Sequence, residues 1–396
     1  MKHQKIKDVL ALNSPQKEIT VIGWTRFKRA SKNITFLAVN DGSCLANIQI
    51  TCDPSLVDPD IIKKISVGAC ITATGDLIES PAKGQNLEIQ AKSITVLGDS
   101  PDDYPLQTKK HSFEFLRTIA HLRIRTNSFG AVFRIRNAAA YGIHDFFFQR
   151  GFVWVHTPII TGSDCEGAGD MFRVTTLDPL KPALTSAGHV DFGQDFFGKA
   201  TNLTVSGQLE AELFAMGLGE VYTFGPTFRA ENSNTSRHAS EFWMVEPEMA
   251  FYDLQDTIEL ARDFLKQMTS FVLEKCAEDI AFLNERIDPT LRQRLEQIVV
   301  SPFQIMTYTE AIAQLERADR RFEFPVSWGI DLQSEHERYL TETVVQGPVF
   351  IVDFPKEIKA FYMRGNDDNR TVAAMDLLVP HIGEIIGGSQ REERLD

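Results

Sequence analysis

Cysteine is scarce in this chain and follows no pattern. The five residues, Cys44, Cys52, Cys70, Cys165 and Cys276, include no CxxC pair and are odd in number. That excludes a disulfide framework and a thiolate zinc site, and it points to a reducing compartment. Long apolar runs are absent as well. No stretch is apolar enough to span a bilayer, and the opening MKHQKIKDVL lacks the apolar core of a signal peptide, so the cytoplasm is the expected location. Positive charge is in deficit, with 41 Lys and Arg against 54 Asp and Glu and a net charge of -13. Such a balance argues against sequence-blind nucleic-acid binding driven by bulk charge, so any nucleic acid must meet a local basic patch. Neither GxxxxGK[ST] nor GxGxxG occurs. SEHERYL, from Ser334, holds a His and two acids without the HExxH spacing of a zinc protease, and reads as a helix start with solvated charges.

What is present begins with an ample core: 396 residues at 43% hydrophobic leave room for two or three domains. Residues 18 to 100 run as short strands (EITVIGW, NITFLAV, ANIQI, ACITATGDLI, LEIQAKSITVL), punctuated at Asp41-Gly42 and Lys83-Gly84. This strand-rich pattern predicts a five-stranded barrel of the OB type, which can present aromatic and polar residues to single-stranded nucleic acid. Arg26, Lys28, Arg29 and Lys32 supply a local basic cluster, and Phe36 lies on the next strand. On these residues alone, a half-buried barrel wall with ordinary cations is an equal reading. Residues 98 to 112, GDSPDDYPLQTKKHS, are Pro- and Asp-rich without periodicity and read as a hinge.

From about Ser128 apolar residues recur at helical spacing through Phe148. Gly151 stops the helix, and Phe152 to Val155 form a strand before Pro158. Further on, Val221 to Phe224 and Glu241 to Val245 are β-branched and aromatic runs around a polar segment, which predicts an antiparallel hairpin to Phe251. Arg229 and Glu231, two apart, are placed on one side of its first strand; Phe242 and Met244 share a face of the second. A guanidinium for phosphate and a ring for a base suit a nucleoside triphosphate, although each residue singly fits a surface hairpin equally well. Gln208 and Glu212 are four apart and share a helical face. Residues 253 to about 286 are expected to be helical with a core-packing stripe from Leu254 to Val272. PVFIVDFP, IKAFYM and TVAAMDLLVP read as three strands of an antiparallel sheet.

The string FRAENSNTSRHASEFWMVEPE resembles the second signature motif of the class II aminoacyl-tRNA synthetases, in the form carried by the asparaginyl branch of the aspartyl, asparaginyl and lysyl subgroup. SGQLEAE and GGSQREERLD strengthen the resemblance, which runs from Ile19 to Asp396. It implies an α+β architecture: an OB-type anticodon-binding barrel over 1–100, a hinge over 101–127, and a class II catalytic domain over 128–396 built as an antiparallel sheet with flanking helices. His381-Ile-Gly-Glu384 is similar to the HIGH signature of class I enzymes, but it stands near the end of the chain rather than at the start of a nucleotide-binding fold.

The resemblance also implies roles. Arg229 grips the α-phosphate of ATP, Glu231 contacts the nucleotide or the tRNA end, Arg237 and His238 sit over the outer phosphates, and Phe242 stacks on adenine. Asp376 and Glu384 hold Mg2+ on the ATP phosphates. Glu166 closes over the substrate, and Gln208 faces the α-amino group and positions the nucleophile. Glu212 accepts from the asparagine amide where an aspartyl enzyme has Lys at the position of Ala211, and Arg391 donates to the amide oxygen. In the barrel, Phe36 stacks on the central anticodon uridine, Gln49 and Glu88 read base edges, and Arg26, Lys28 and Arg29 meet the tRNA. The long helix builds a homodimer. Expected partners are therefore ATP, L-asparagine, the asparagine tRNA and a second copy, with no membrane. Relatives of this kind continue past RLD into a third motif bearing another ATP-binding arginine. Two expectations follow: an asparagine-activating ligase, or a catalytically impaired tRNA-binding fragment. An aspartate-amidating paralogue is the third reading, and the barrel counts against it.

Overall fold

The computed structural model describes residues 3–31, 33–81, 85–163, 165, 171–232 and 239–395. Contact density divides the chain into two compact units, Met1–Ala138 with Cys276–Arg292, and Ala139–Lys275 with Gln293–Asp396.

In the first unit β1 (Gln16–Ala30), β2 (Thr35–Asn40), β3 (Ile48–Cys52), β4 (Cys70–Glu79) and β5 (Leu87–Gly98) close a barrel in the order β1-β2-β3-β5-β4. Closure comes from a parallel pairing in which Ile50 meets Ile89 and Thr51 meets Gln90. Alternation fills the interior: Leu37, Val39, Ile48, Ile50, Ile71, Ala73 and Ile89 are fully buried. A short helix, Pro59–Lys64, interrupts the strands. Asp58 caps its first turn and Pro59 opens it, a start signal within a segment that otherwise reads as strands.

One irregularity in β1 matters for function. Thr25 pairs with Val39 and Phe27 with Ala38, so Arg26 is the extra residue of a β-bulge. A bulge takes its residue out of the pleat and re-aims its side chain. Beyond it, Arg29 pairs with Phe36 and Lys28 with the fully buried Leu37.

The second unit contains three sheets. β6 (Val153–Trp154) lies parallel to β10 (Glu220–Phe228), which pairs antiparallel with β11 (Glu241–Met249). β7 (Ile160–Thr161), β8 (Arg173–Val174) and β9 (Thr201–Leu203) form a small sheet; β12 (Gln304–Thr307), β13 (Val349–Pro355), β14 (Thr371–Val379) and β15 (Gly383–Ser389) form the fourth sheet of the chain. The helix Asn127–Gln149 and its stop at Gly151, which has a positive φ of 85°, match the sequence pattern. Its end packs aromatically, with Phe147 stacked on Tyr222 at 4.5 Å between ring centroids.

Four expectations change. The β12–β13 and β6–β10 pairings are parallel, so the sheets are mixed rather than antiparallel. IKAFYM is not a strand: a 3-10 turn occupies Lys356–Ile358, and the segment then loops toward the hairpin face described below. The helix after Asp253 breaks into Leu254–Lys275 and Ala277–Arg286 at Cys276. His336 in SEHERYL is fully buried rather than solvated. Its Nδ1 accepts from the Gln333 amide at 3.1 Å and its Nε2 donates to the Phe324 carbonyl at 3.1 Å, which meets the cost of burying the ring.

Candidate functional site

β11 places Phe242, Met244, Glu246 and Glu248 on one face, because strand side chains alternate with a period of two. Each does a different job. Arg229 lies at one end of the row, its guanidinium 5.6 Å from the Phe242 ring centroid and its Nη2 3.9 Å from Met244 Sδ. β10 ends at Phe228, so Arg229 and Glu231 stand beyond the strand and the alternation argument does not reach them. Glu231 is exposed.

Glu246 acts as a clamp. It accepts from Ser206 Oγ, from the Gly207 amide at 3.1 Å and from Thr223 Oγ1 at 3.0 Å. These bonds tie the start of the helix Gln208–Leu218 to the hairpin. A side chain at position 207 would meet Thr157 Oγ1 at 2.5 Å, so any residue larger than glycine has to displace Thr157.

Along that helix Gln208 Nε2 donates to Glu212 Oε1 at 3.0 Å, as the one-turn spacing predicts. Arg391 Nε reaches the same oxygen at 2.7 Å, while its Nη2 forks onto both Glu248 oxygens at 3.1 and 3.2 Å. Tyr362 lies under the Arg391 guanidinium at 4.8 Å, and its hydroxyl donates to Gln208 Oε1 at 3.2 Å. The result is one hydrogen-bonded set with two carboxylates on one cation. Burial pushes the Glu248 carboxyl up to about 8 even though the Arg391 charge opposes it, and repulsion from Glu212 and Glu246 adds to the rise. Glu246, Glu248 and Tyr362 were missed in the sequence. Extending the Phe242 and Met244 alternation by two more steps finds both acids; nothing local marks Tyr362.

Asp376 and Glu384 converge over Gly387, where a Cβ would lie 3.5 Å from Asp376 Oδ1 and 3.1 Å from Glu384 Oε1. A register shift between β14 and β15 makes this possible. Leu377 pairs with Ile386 but Leu378 with Glu384, which turns Glu384 to the side of Asp376. Burial raises both carboxyls, and their mutual repulsion adds to the rise in Glu384. Lys359 Nζ sits on Asp376 at 2.8 and 2.9 Å. Two mutually repelling carboxylates, Asp376 largely covered and Glu384 exposed, answered by a cation suit a hard divalent ion as two of its oxygen ligands. Among the described residues no group of three or more His, Cys, Asp or Glu side chains gathers into a metal cage. Glu166, Arg237 and His238 lie outside the described residues.

The barrel presents a second cluster. Glu88 Oε2 accepts from Gln49 Nε2 at 2.8 Å, from Ser80 Oγ at 2.7 Å and from Gln85 Nε2 at 3.0 Å. Arg29 covers the Phe36 ring at 5.0 Å. Lys28 does not join this face. Its Nζ donates at 2.7 Å to the carbonyls of both Ile62 and Ile65, the C-terminal end of the helix Pro59–Lys64. Arg26 leaves through the bulge, so the run of basic residues in β1 splits three ways; Lys32 lies outside the described residues.

Residues 113–396 match the family profile described as tRNA synthetases class II (D, K and N), and residues 19–97 match that of the OB-fold nucleic acid binding domain. The chain is similar to the asparagine–tRNA ligase of Microcystis aeruginosa, at 61% identity over 393 residues, 99% of this chain and 85% of that protein. Geobacter sulfurreducens has a relative of the same description at 59% over 392 residues, 99% of this chain and 85% of that protein. Among solved structures it resembles the asparaginyl-tRNA synthetase of Pyrococcus horikoshii complexed with asparaginyl-adenylate, with a TM-score of 0.83 and 28% identity, covering 99% of this chain and 84% of that one.

Proposed function

Since this chain belongs to the class II tRNA synthetases of the D, K and N group, we propose that its site carries out ATP-dependent ligation of asparagine to tRNA. The observation that carries the choice of amino acid is Glu212, held between Gln208 and Arg391 with Ala211 beside it. A carboxylate there accepts from an amide nitrogen and repels a second carboxylate, so asparagine is drawn in and aspartate turned away. Arg391 donates to the amide oxygen, and Glu248 and Tyr362 hold its fork in place.

The reaction divides into two acyl-transfer steps. The asparagine carboxylate attacks the α-phosphorus of ATP and pyrophosphate leaves, giving asparaginyl-adenylate. The terminal ribose hydroxyl of the tRNA then attacks the acyl carbon and AMP leaves. Gln208 orients the nucleophile, Arg229 takes up charge on the α-phosphate, Phe242 stacks on adenine, and Glu231 touches the nucleotide or the tRNA end. Asp376 and Glu384 would hold Mg2+, which would supply positive charge to neutralise the phosphates. Lys359 balances Asp376 until then.

The barrel reads the anticodon through Phe36, Gln49, Glu88 and Arg29, within the division into residues 1–100, 101–127 and 128–396. A homodimer is part of the reading. Val132, Tyr141 and Phe148, 48%, 65% and 76% exposed on the Asn127–Gln149 helix, are apolar surface that a second copy covers. No described helix is long and apolar enough to cross a membrane, and the cytoplasm is the compartment proposed.

Exchange of labelled pyrophosphate into ATP tests the site. Asparagine supports exchange and aspartate does not; exchange with aspartate overturns the pocket assignment. Sedimentation of the full chain at twice the mass of one copy tests the dimer.

A further inference from the structure

The five barrel strands carry three aromatic rings, Trp24, Phe27 and Phe36. Two of them are covered by a guanidinium, Trp24 by Arg125 at 4.9 Å and Phe36 by Arg29 at 5.0 Å. The third is bare. Phe27 is 43% exposed, and among the described residues no ring or cation stacks on it.

The register of β1 puts the ring in solvent against the preference of its chemistry. In an unbroken ladder Thr25 opposite Val39 would be followed by Arg26 opposite Ala38 and Phe27 opposite Leu37. Leu37 is fully buried, so Phe27 would then fill the barrel interior and Lys28 would face outward. Apolar burial favours that arrangement. The bulge at Arg26 reverses it, pairing Phe27 with the outward Ala38 and Lys28 with the inward Leu37, while Arg26 turns to a cavity beside the helix Asn127–Gln149. Lys28 is satisfied by the Ile62 and Ile65 carbonyls. No comparable contact answers Phe27 among the described residues, so packing does not account for its place. A local rule broken without a structural return is where function is to be sought.

The face it reaches carries polar groups. Phe27 stands opposite Ala38, Ala38 opposite Gln49, and Gln49 donates to Glu88 on β5. Neighbouring strands lie about 4.8 Å apart, so Phe27 and Gln49 are roughly 10 Å apart with only the Ala38 methyl group between them. That leaves a slot with a ring at one side and an amide–carboxylate pair at the other. Phe36 shares the face two residues from Ala38, diagonal to Phe27 at about 7 to 8 Å, which lets each ring carry its own base. We propose that Phe27 is a second stacking platform for single-stranded RNA: while one base lies on Phe36, a neighbouring base stacks on Phe27 over Ala38 and turns its edge to Gln49 and Glu88. The inference rests on the anticodon reading of the barrel and adds a residue that the reading does not include.

The test uses the full chain and a transcript of the asparagine tRNA, with affinity measured at about 50 and 200 mM salt. Phe27→Ala weakens binding roughly tenfold, and by the same factor at both salt concentrations, because a stacked base releases no counterion. Phe27→Tyr keeps the ring and binds as the wild type does. Phe27→Leu keeps apolar bulk without a ring and binds as weakly as Phe27→Ala. An anticodon stem-loop made abasic at the nucleotide on Phe27, one of the two that flank the central base, loses the same factor with the wild type and nothing further with Phe27→Ala. Wild-type affinity in Phe27→Ala or Phe27→Leu, or a loss that shrinks as salt rises, overturns the platform. Phe36→Ala separates this inference from the reading beneath it. If Phe36→Ala weakens binding and Phe27→Ala does not, only the platform falls; unchanged binding in both removes the anticodon reading as well.

Discussion

Two buried carboxylates in this chain are held by opposite means. Glu88 in the barrel is 4% exposed and accepts hydrogen bonds from three neutral donors, Gln49, Ser80 and Gln85. Glu248 on β11 is held by a cation, Arg391, which it shares with Glu212. Neutral donors gather on one carboxyl oxygen, Oε2, and bring no countercharge. A shared cation balances charge but couples every member to the others, so one loss unsettles the set. The first arrangement suits a surface that reads base edges; the second suits a pocket that must tell an amide from a carboxylate.

The sharpest break in that comparison is Glu212→Gln. Removing a carboxylate from the coupled set should lower kcat/KM for asparagine in pyrophosphate exchange by about 10²- to 10³-fold, corresponding to roughly 3 to 4 kcal/mol. A fall of less than tenfold would mean that Glu212 does not read the amide. Next comes Glu88→Ala, which strands three donors. The barrel should lose about 2 to 3 kcal/mol, seen as an earlier urea midpoint, whereas an unchanged midpoint would show that water replaces the carboxylate.

Phe36→Ala removes the ring that Arg29 covers. tRNA should bind about 2 kcal/mol more weakly with exchange kinetics retained, and equal tRNA affinity would remove Phe36 from the reading. The fourth prediction follows from pH. Glu248 titrates at about 8 in the folded chain against an ordinary value of 4.5. The folded state therefore binds more protons between those values. This group's stabilisation is full below about 4.5 and is lost as pH rises through 8, with a slope of at most about 1.4 kcal/mol per pH unit. Asp376 and Glu384 are shifted in the same direction. Glu248→Gln should make the urea midpoint less dependent on pH between 5 and 8, and an unchanged slope would refute the shift. The smallest effect belongs to Lys28→Met, which frees two helix-end carbonyls and should cost about 1 kcal/mol of barrel stability without weakening tRNA binding. Weaker tRNA binding by this variant would return Lys28 to the nucleic-acid face.

Much of this was legible from residue order. Alternation in ITVIGW and NIQI fixes which side chains fill the barrel, and the strand runs around ENSNTSRH fix the β10–β11 hairpin. The four-residue spacing of Gln208 and Glu212 fixes their shared helical face. All of these follow from short-range periodicity, which the backbone imposes wherever an element forms. Glu246 and Glu248 were legible too, at the next two steps of the β11 alternation.

Other features required the folded chain. Arg26 and Lys28 look alike in TRFKRA, yet a one-residue bulge sends the first to a cavity and pairing with Leu37 draws the second to a helix end. The β14–β15 register shift turns Glu384 toward Asp376. Tyr362 reaches Gln208 across 154 positions, from a segment whose composition suggests a strand. Local periodicity determines which face of an element a side chain occupies. Register shifts and distant partners depend on how whole elements compete for pairing, and only the tertiary structure decides them.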